Sequence, residues 1–314
     1  MVAANLAGAA LAEPHPFWLR LYGSFAAPTF VLLSGMMIAL SFRARGRAFS
    51  YFLKRGATIV LVGALVDVLI WQIYPFTTVD VLYLIGISLP LVSLACLRSP
   101  LLAWALAGLI FAGTPVLQRV LGYSAYPTEA YLWGTLTVMV VGQTSIANHW
   151  LVDGFFPLFP WLGFAFLGEG LGAWRWPEGA SPSIARGPLL AWTLALLGLG
   201  CGIWYTWPGP LLTREGYSEM FYPPTLGFIT TAVGVFGVLF WIVDCRPTLP
   251  GHDVLRALGE SSLAMYIAHL VLIRYVITLI WPDGVGLVPF AAIYIALLVA
   301  LIAVAYGLRV LKRH

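Results

Sequence analysis

The sequence predicts an all-α fold: a polytopic bundle of about ten transmembrane helices, the first of them truncated. Three observations predict it. Of 314 residues, 61% are hydrophobic and only 10% are charged, against about 25% charged in an ordinary soluble domain. Mean hydropathy is +0.90. Apolar runs of spanning length, roughly 20 residues each, follow one another without a soluble domain between them. The 13 Trp, 14 Tyr, 32 Gly and 21 Pro suit membrane helices, which anchor on interfacial aromatics and tolerate kinks. The whole chain, 1–314, therefore reads as one integral-membrane domain.

In chain order, residues 1–12 supply only part of a span, about 18 Å of helix at 1.5 Å per residue, against a hydrocarbon core of about 30 Å. The natural chain is expected to begin upstream of Met1. Nine full spans follow, at 20–41, 57–74, 81–97, 101–118, 155–174, 188–206, 224–243, 260–281 and 287–308. Residues 132–146 are apolar but short, and read as interfacial or re-entrant. With the 42–56 loop in the cytoplasm and strict alternation, 13 of the 17 Lys and Arg fall inside. Arg20, Arg119, Arg214 and Arg274 fall at or near the outside. That bias is the positive-inside pattern, and a spanning 132–146 would dissolve it. The orientation places His15 on the extracytoplasmic side and the C-terminus in the cytoplasm.

Several function classes are excluded. The net charge of +4 is carried by short clusters between apolar spans, so no nucleic-acid face is expected. Cys96, Cys201 and Cys245 are scattered, without the spacing of a disulfide framework or a zinc site, and no metal is expected.

The stretch Glu13-Pro14-His15-Pro16-Phe17-Trp18 carries the first chemical candidate. A histidine exchanges protons near neutral pH. It can serve as a general base or as a nucleophile that carries an acyl group. The alternative is an ordinary interfacial histidine. Arg43, Arg45, Arg47, Lys54 and Arg55 form a basic loop that could hold the phosphates of a nucleotide-like molecule, or could be a topology signal alone. Ionisable groups inside spans are costly and functional by default. They are Asp67, Glu169 and His269, with Arg274 five residues further out, and any of these could instead be paired inside the bundle for structural reasons. The stretch from Asn148 to Gly163, with His149 and Asp153 four apart, is polar, then aromatic and proline-rich. It suits sugar binding or an aromatic belt.

Four patches together resemble the heparan-alpha-glucosaminide N-acetyltransferase-like family of transmembrane acyltransferases. They are His15-x-x-Trp18 with Phe30-Val31-Leu32-Leu33-Ser34-Gly35, Val81-Leu82-Tyr83-Leu84-Ile85-Gly86, Asp153-Gly154-Phe155-Phe156-Pro157 through Gly168-x-x-x-Gly172, and Leu258 to His269. The resemblance implies acetyl-CoA as the donor, used as a co-substrate from the cytoplasmic side, and an extracytoplasmic amino sugar or other glycan as the acceptor. It implies His15 as the catalytic residue and Asn5 in support, with the basic loop as the donor site. Trp18, Asp67, Asp153, Glu169 and His269 remain acceptor-binding or structural polar candidates. The family's first helix opens with an aspartate and an arginine-glycine pair that would lie before Met1. The expected location is the bacterial inner membrane, with the lipid bilayer as partner and a homo-oligomer or larger membrane complex as the assembly. A non-catalytic subunit that keeps the fold is the alternative. A transporter with Asp67, Glu169 and His269 as its polar path is a third reading, and no repeat symmetry supports it.

Overall fold

A computed structural model describes residues 1–43, 45–124, 144–176, 186–212, 214, 219–245 and 250–311. The expected re-entrant segment 132–146 lies almost wholly outside these residues. So do Arg246, Lys312 and Arg313 from the orientation count. The described residues are helical with no β-strand. The helices are α1 (Val2–Ala10), α2 (Phe17–Ser24), α3 (Ala26–Arg43), α4 (Phe49–Val66), α5 (Val81–Cys96), α6 (Pro100–Leu121), α7 (Ile146–Asn148), α8 (Leu158–Arg175), α9 (Arg186–Thr206), α10 (Leu226–Cys245), α11 (His252–Glu260), α12 (Ser262–Leu272), α13 (Thr278–Ile280) and α14 (Leu287–Leu311).

Among the described residues, six helical stretches are long and apolar enough to cross a membrane, seven if the pair Ile146–Asp153 and Leu158–Arg175, bent by 46°, is one span. The protein is an integral membrane protein. The nine expected spans all meet helices. The expected 81–97 span is shorter than a standard crossing, ending at Cys96. The expected 57–74 span starts earlier, at Phe49, and gives way to a π-helical turn at Asp67–Trp71. Lys54 and Arg55 therefore ride on the first turns of α4 and not in a loop. Phe49, Tyr51, Phe52 and Leu53 open the helix before these two cations, with Phe52 buried, and the two charges interrupt the apolar run from which a span is read.

The chain packs as two compact units. The larger comprises Phe25–Leu212 and Phe221–Val238. Its centre is α3 against α8, and glycine permits the approach. A Cβ on Gly35 would stand 2.0 Å from the Ala165 carbonyl oxygen, and one on Gly168 would stand 2.0 Å from that of Leu32. Small residues spaced four apart, as in Gly168-x-x-x-Gly172, let membrane helices pack backbone to backbone. The same device joins α4 to α5, where a Cβ on Gly56 would meet the Gly86 carbonyl oxygen at 2.4 Å. An aromatic cluster of Phe156, Trp161, Phe164, Phe221 and Phe228 closes this unit.

The smaller unit comprises Met1–Ser24, Thr213–Met220 and Leu239–His314. Its apolar core gathers Leu6, Ala7, Ala10 and Leu19 with Ile273, Ile277, Phe290, Leu297 and Leu301. The end of α1 is tied down by backbone pairing: Ala12 N–H donates to Val285 O at 3.0 Å, and Val285 N–H donates to Ala10 O at 2.8 Å. That clip fixes the chain up to Ala12, three residues before His15.

Candidate functional site

In the smaller unit, His15 sits between the end of α1 and the start of α2. Pro14 and Pro16 restrict its backbone, and the Pro16 carbonyl receives the N–H groups of Leu19 and Arg20 as α2 begins. The ring is half-buried. Its Nε2 donates to the Leu11 carbonyl oxygen at 3.0 Å, an acceptor left over because Leu11 terminates α1. A carbonyl can only accept, so Nε2 carries the hydrogen. Nδ1 of the neutral ring then keeps a lone pair, the requirement for a general base or nucleophile. Phe17 and Trp18 beside it are exposed, and Trp18 offers an aromatic face with no described partner.

Asn5 lies on α1, half-buried. Its Nδ2 donates to His269 Nε2 at 2.9 Å. The structure therefore joins Asn5 with His269 by a direct bond, whereas the bond of His15 goes to Leu11. His269 is buried on α12 and its Nδ1 donates to Met265 O at 3.0 Å. Glu219 is the residue that sequence reasoning missed. It occupies a polar loop with no periodicity to betray burial, yet it is 6% exposed, beside Gly23. Burial pushes its carboxyl up to about 7, offset in part by its own backbone N–H and by Arg20.

That shift makes a prediction. A carboxyl whose folded pKa is raised binds more protons folded than unfolded, so it favours the folded state most below about pH 4.5 and that contribution is lost as pH rises through about 7. Wild-type protein should lose melting temperature between pH 5 and pH 8, and Glu219→Gln should flatten the loss. The difference is on the order of 3 kcal/mol at most. Parallel thermal curves for both proteins across that range would contradict it.

In the larger unit, the predicted cations separate. Arg43, in the last turn of α3, points to Glu169 of α8 at 3.9 Å, with the side chains 19% and 0% exposed. Neither Glu169 carboxylate oxygen has a hydrogen-bond partner among the described residues. Arg45, Arg47, Lys54 and Arg55 are exposed, and Arg47 stands 4.9 Å over the Tyr51 ring. These four remain able to meet an anion.

The other polar candidates of this unit bind one another. Tyr83 O–H donates to Asp67 Oδ2 at 2.5 Å, linking the π-helical turn that follows α4 to α5. His149 Nδ1 donates to Asp153 Oδ1 at 2.7 Å across the π-helical turn His149–Asp153. Asp153 Oδ2 receives Asn148 Nδ2 at 2.9 Å and Ser124 N–H at 3.0 Å. Phe155 and Phe156 then pair their N–H groups with Thr78 O and Val79 O. A Cβ on Gly154 would stand 2.5 Å from the His149 carbonyl oxygen. The Asp153-Gly154-Phe155-Phe156 stretch is thus a buried polar knot that locks a bend.

Residues 5–205, about two thirds of the chain and including Asn5, His15 and the basic stretch, match the family model described as heparan-alpha-glucosaminide N-acetyltransferase, catalytic. A comparison with curated proteins found no match.

Proposed function

The chain belongs to the heparan-alpha-glucosaminide N-acetyltransferase catalytic family, a family of membrane acetyltransferases, and on that premise we propose that it moves an acetyl group from acetyl-CoA to an extracytoplasmic amino sugar or other glycan acceptor. The match over residues 5–205 carries this reading. His15 is the base or the acyl carrier, acting through Nδ1. As base, it takes the proton of the acceptor amine or hydroxyl as that group attacks the thioester carbonyl. The new C–N or C–O bond forms, the C–S bond breaks, and the proton passes to the departing CoA thiolate. As carrier, Nδ1 attacks the thioester first, the C–S bond breaks and CoA leaves as the thiolate; the acceptor then attacks the acetyl carbon, the N–C bond to His15 breaks, and the acceptor's proton goes to the thiolate. Arg45, Arg47, Lys54 and Arg55 would hold the donor phosphates, an assignment supported by their exposure and shared sign. The bias of basic residues supports an inner-membrane orientation with His15 extracytoplasmic and the C-terminus cytoplasmic.

Two measurements test this. Purified protein in proteoliposomes, given labelled acetyl-CoA, should transfer label to an amino-sugar or glycan acceptor. CoA binding without transfer to any such acceptor would favour a non-catalytic subunit. Charge-neutral replacements at Arg45 and Arg47 should weaken CoA binding by up to about tenfold, and more at low salt than at high salt, since salt screens exposed pairs. Unchanged affinity would return these residues to a topological role.

A further inference from the structure

The bond between Asn5 and His269 determines more than a contact. His269 Nδ1 lies 3.0 Å from the Met265 carbonyl oxygen, one turn back on α12. That oxygen only accepts, so Nδ1 holds the hydrogen, and the neutral ring presents a lone pair at Nε2. Asn5 stands 2.9 Å from Nε2. Of the two ends of its amide, only the NH2 can satisfy a lone pair, so Oδ1 is turned away from His269. The ring itself cannot reorient cheaply. It is 1% exposed, and its neighbour Tyr266 meets it edge-on at 5.3 Å. Met265 and Leu6, one from each helix, belong to the same buried core.

We propose that His269 is a positioning residue for acetyl transfer: it holds the Asn5 amide in one orientation, so that Asn5 offers a carbonyl oxygen to the N–H or O–H of the acceptor. The proposal rests on the transferase reading above and on the supporting role at the transfer site that the family resemblance implies for Asn5. It gives Asn5 a defined task. An acceptor of hydrogen bonds orients an attacking amine or hydroxyl, whereas a thioester oxygen gathering negative charge would call for a donor. The α12 motif ending at His269, which the donor and base assignments leave unused, acquires a reason in the same step.

Two conservative variants separate positioning from packing. A glutamine at 269 places its amide near the position of Nε2 and can accept from Asn5, but gives up Met265. An asparagine places its amide near Nδ1, keeps Met265, and abandons Asn5. In the full chain in nanodiscs, His269→Gln should retain most of the acceptor kcat/KM. His269→Asn and His269→Leu should lose roughly 100-fold, the scale of a misplaced reacting group, with donor KM unchanged. In an Asn5→Ala background, His269→Leu should cost nothing further in turnover. Equal losses for Gln and Asn, or a full additional loss in the Asn5→Ala background, would overturn the proposal.

Should the wild-type chain transfer acetyl to none of the acceptors, nitrogen NMR of histidine-labelled protein decides instead. A protonated Nδ1 and a bare Nε2 at His269, with the Nε2 signal shifting in Asn5→Ala, uphold the held amide. An Nε2 signal indifferent to Asn5→Ala overturns it. Failure of the transferase reading and failure of this inference are thereby distinguishable.

Discussion

His15→Ala should lower acetyl transfer by about 100- to 10,000-fold, the range expected on removing a general acid–base group, while the protein still inserts, folds and binds CoA. Among the described residues one hydrogen bond is lost, from Nε2 to Leu11 O, and the ring is half-buried, so the stability cost is about 1 kcal/mol. The backbone clip between Ala10, Ala12 and Val285 stays in place without the side chain. His15→Gln sharpens the test. Its amide can still donate to Leu11 O and keep the turn, but nothing basic stands where Nδ1 stood. Its turnover should be as low as that of the alanine variant, with a melting temperature nearer wild type. Exchange of label between acetyl-CoA and free CoA without any acceptor would mark His15 as an acyl carrier, and absence of exchange would mark it as a base. Near-normal turnover in a folded His15→Ala protein would remove His15 from the chemistry.

Much of the helical architecture was legible because it rests on apolar length, which a bilayer enforces directly. The α12 span was visible, but the beginning of α4 at Phe49, which takes Lys54 and Arg55 out of the expected basic loop, was not. Exposed cations and helix are compatible at a membrane surface, so charge does not mark the boundary. The partners of the buried polar groups were illegible for a different reason. Asp67 meets Tyr83 sixteen residues on, and Asn5 meets His269 at a separation of 264. No periodicity within one helix encodes a bond between two. The pair His149 and Asp153 shows the opposite case, since a spacing of four put both groups on one face. Their role still depended on Asn148 and Ser124, which only the fold brings in. Glu219 carried no signal at all, being a loop residue whose burial is imposed by the helices around it.

Arg43 and Glu169 should show the largest stability effect in the protein. Glu169 is fully buried on α8, and Arg43 approaches to 3.9 Å from the last turn of α3. Both lie at the most closely packed pair of helices, where Gly35 and Gly168 leave no room for side chains. Replacing Arg43 with Gln leaves a carboxylate without its cation in a low-dielectric interior, at about 3–5 kcal/mol. No hydrogen-bond donor among the described residues reaches either Glu169 oxygen, so nothing there compensates for the lost cation. Glu169→Gln removes the charge that needed company, so it should cost less than Arg43→Gln. Arg43 can turn outward from the helix end, an escape closed to Glu169. The double replacement Arg43→Met with Glu169→Leu should recover most of the loss, since apolar groups of similar volume often substitute for a buried pair without penalty. Thermal unfolding in detergent of all three variants measures this ordering. If Arg43→Gln leaves stability untouched and instead abolishes CoA binding, Arg43 serves the donor with Arg45, Arg47, Lys54 and Arg55, and Glu169 only aims it. If stability falls and CoA binding persists in the surviving folded fraction, the first cation of the basic stretch belongs to the frame and the four exposed ones to the ligand.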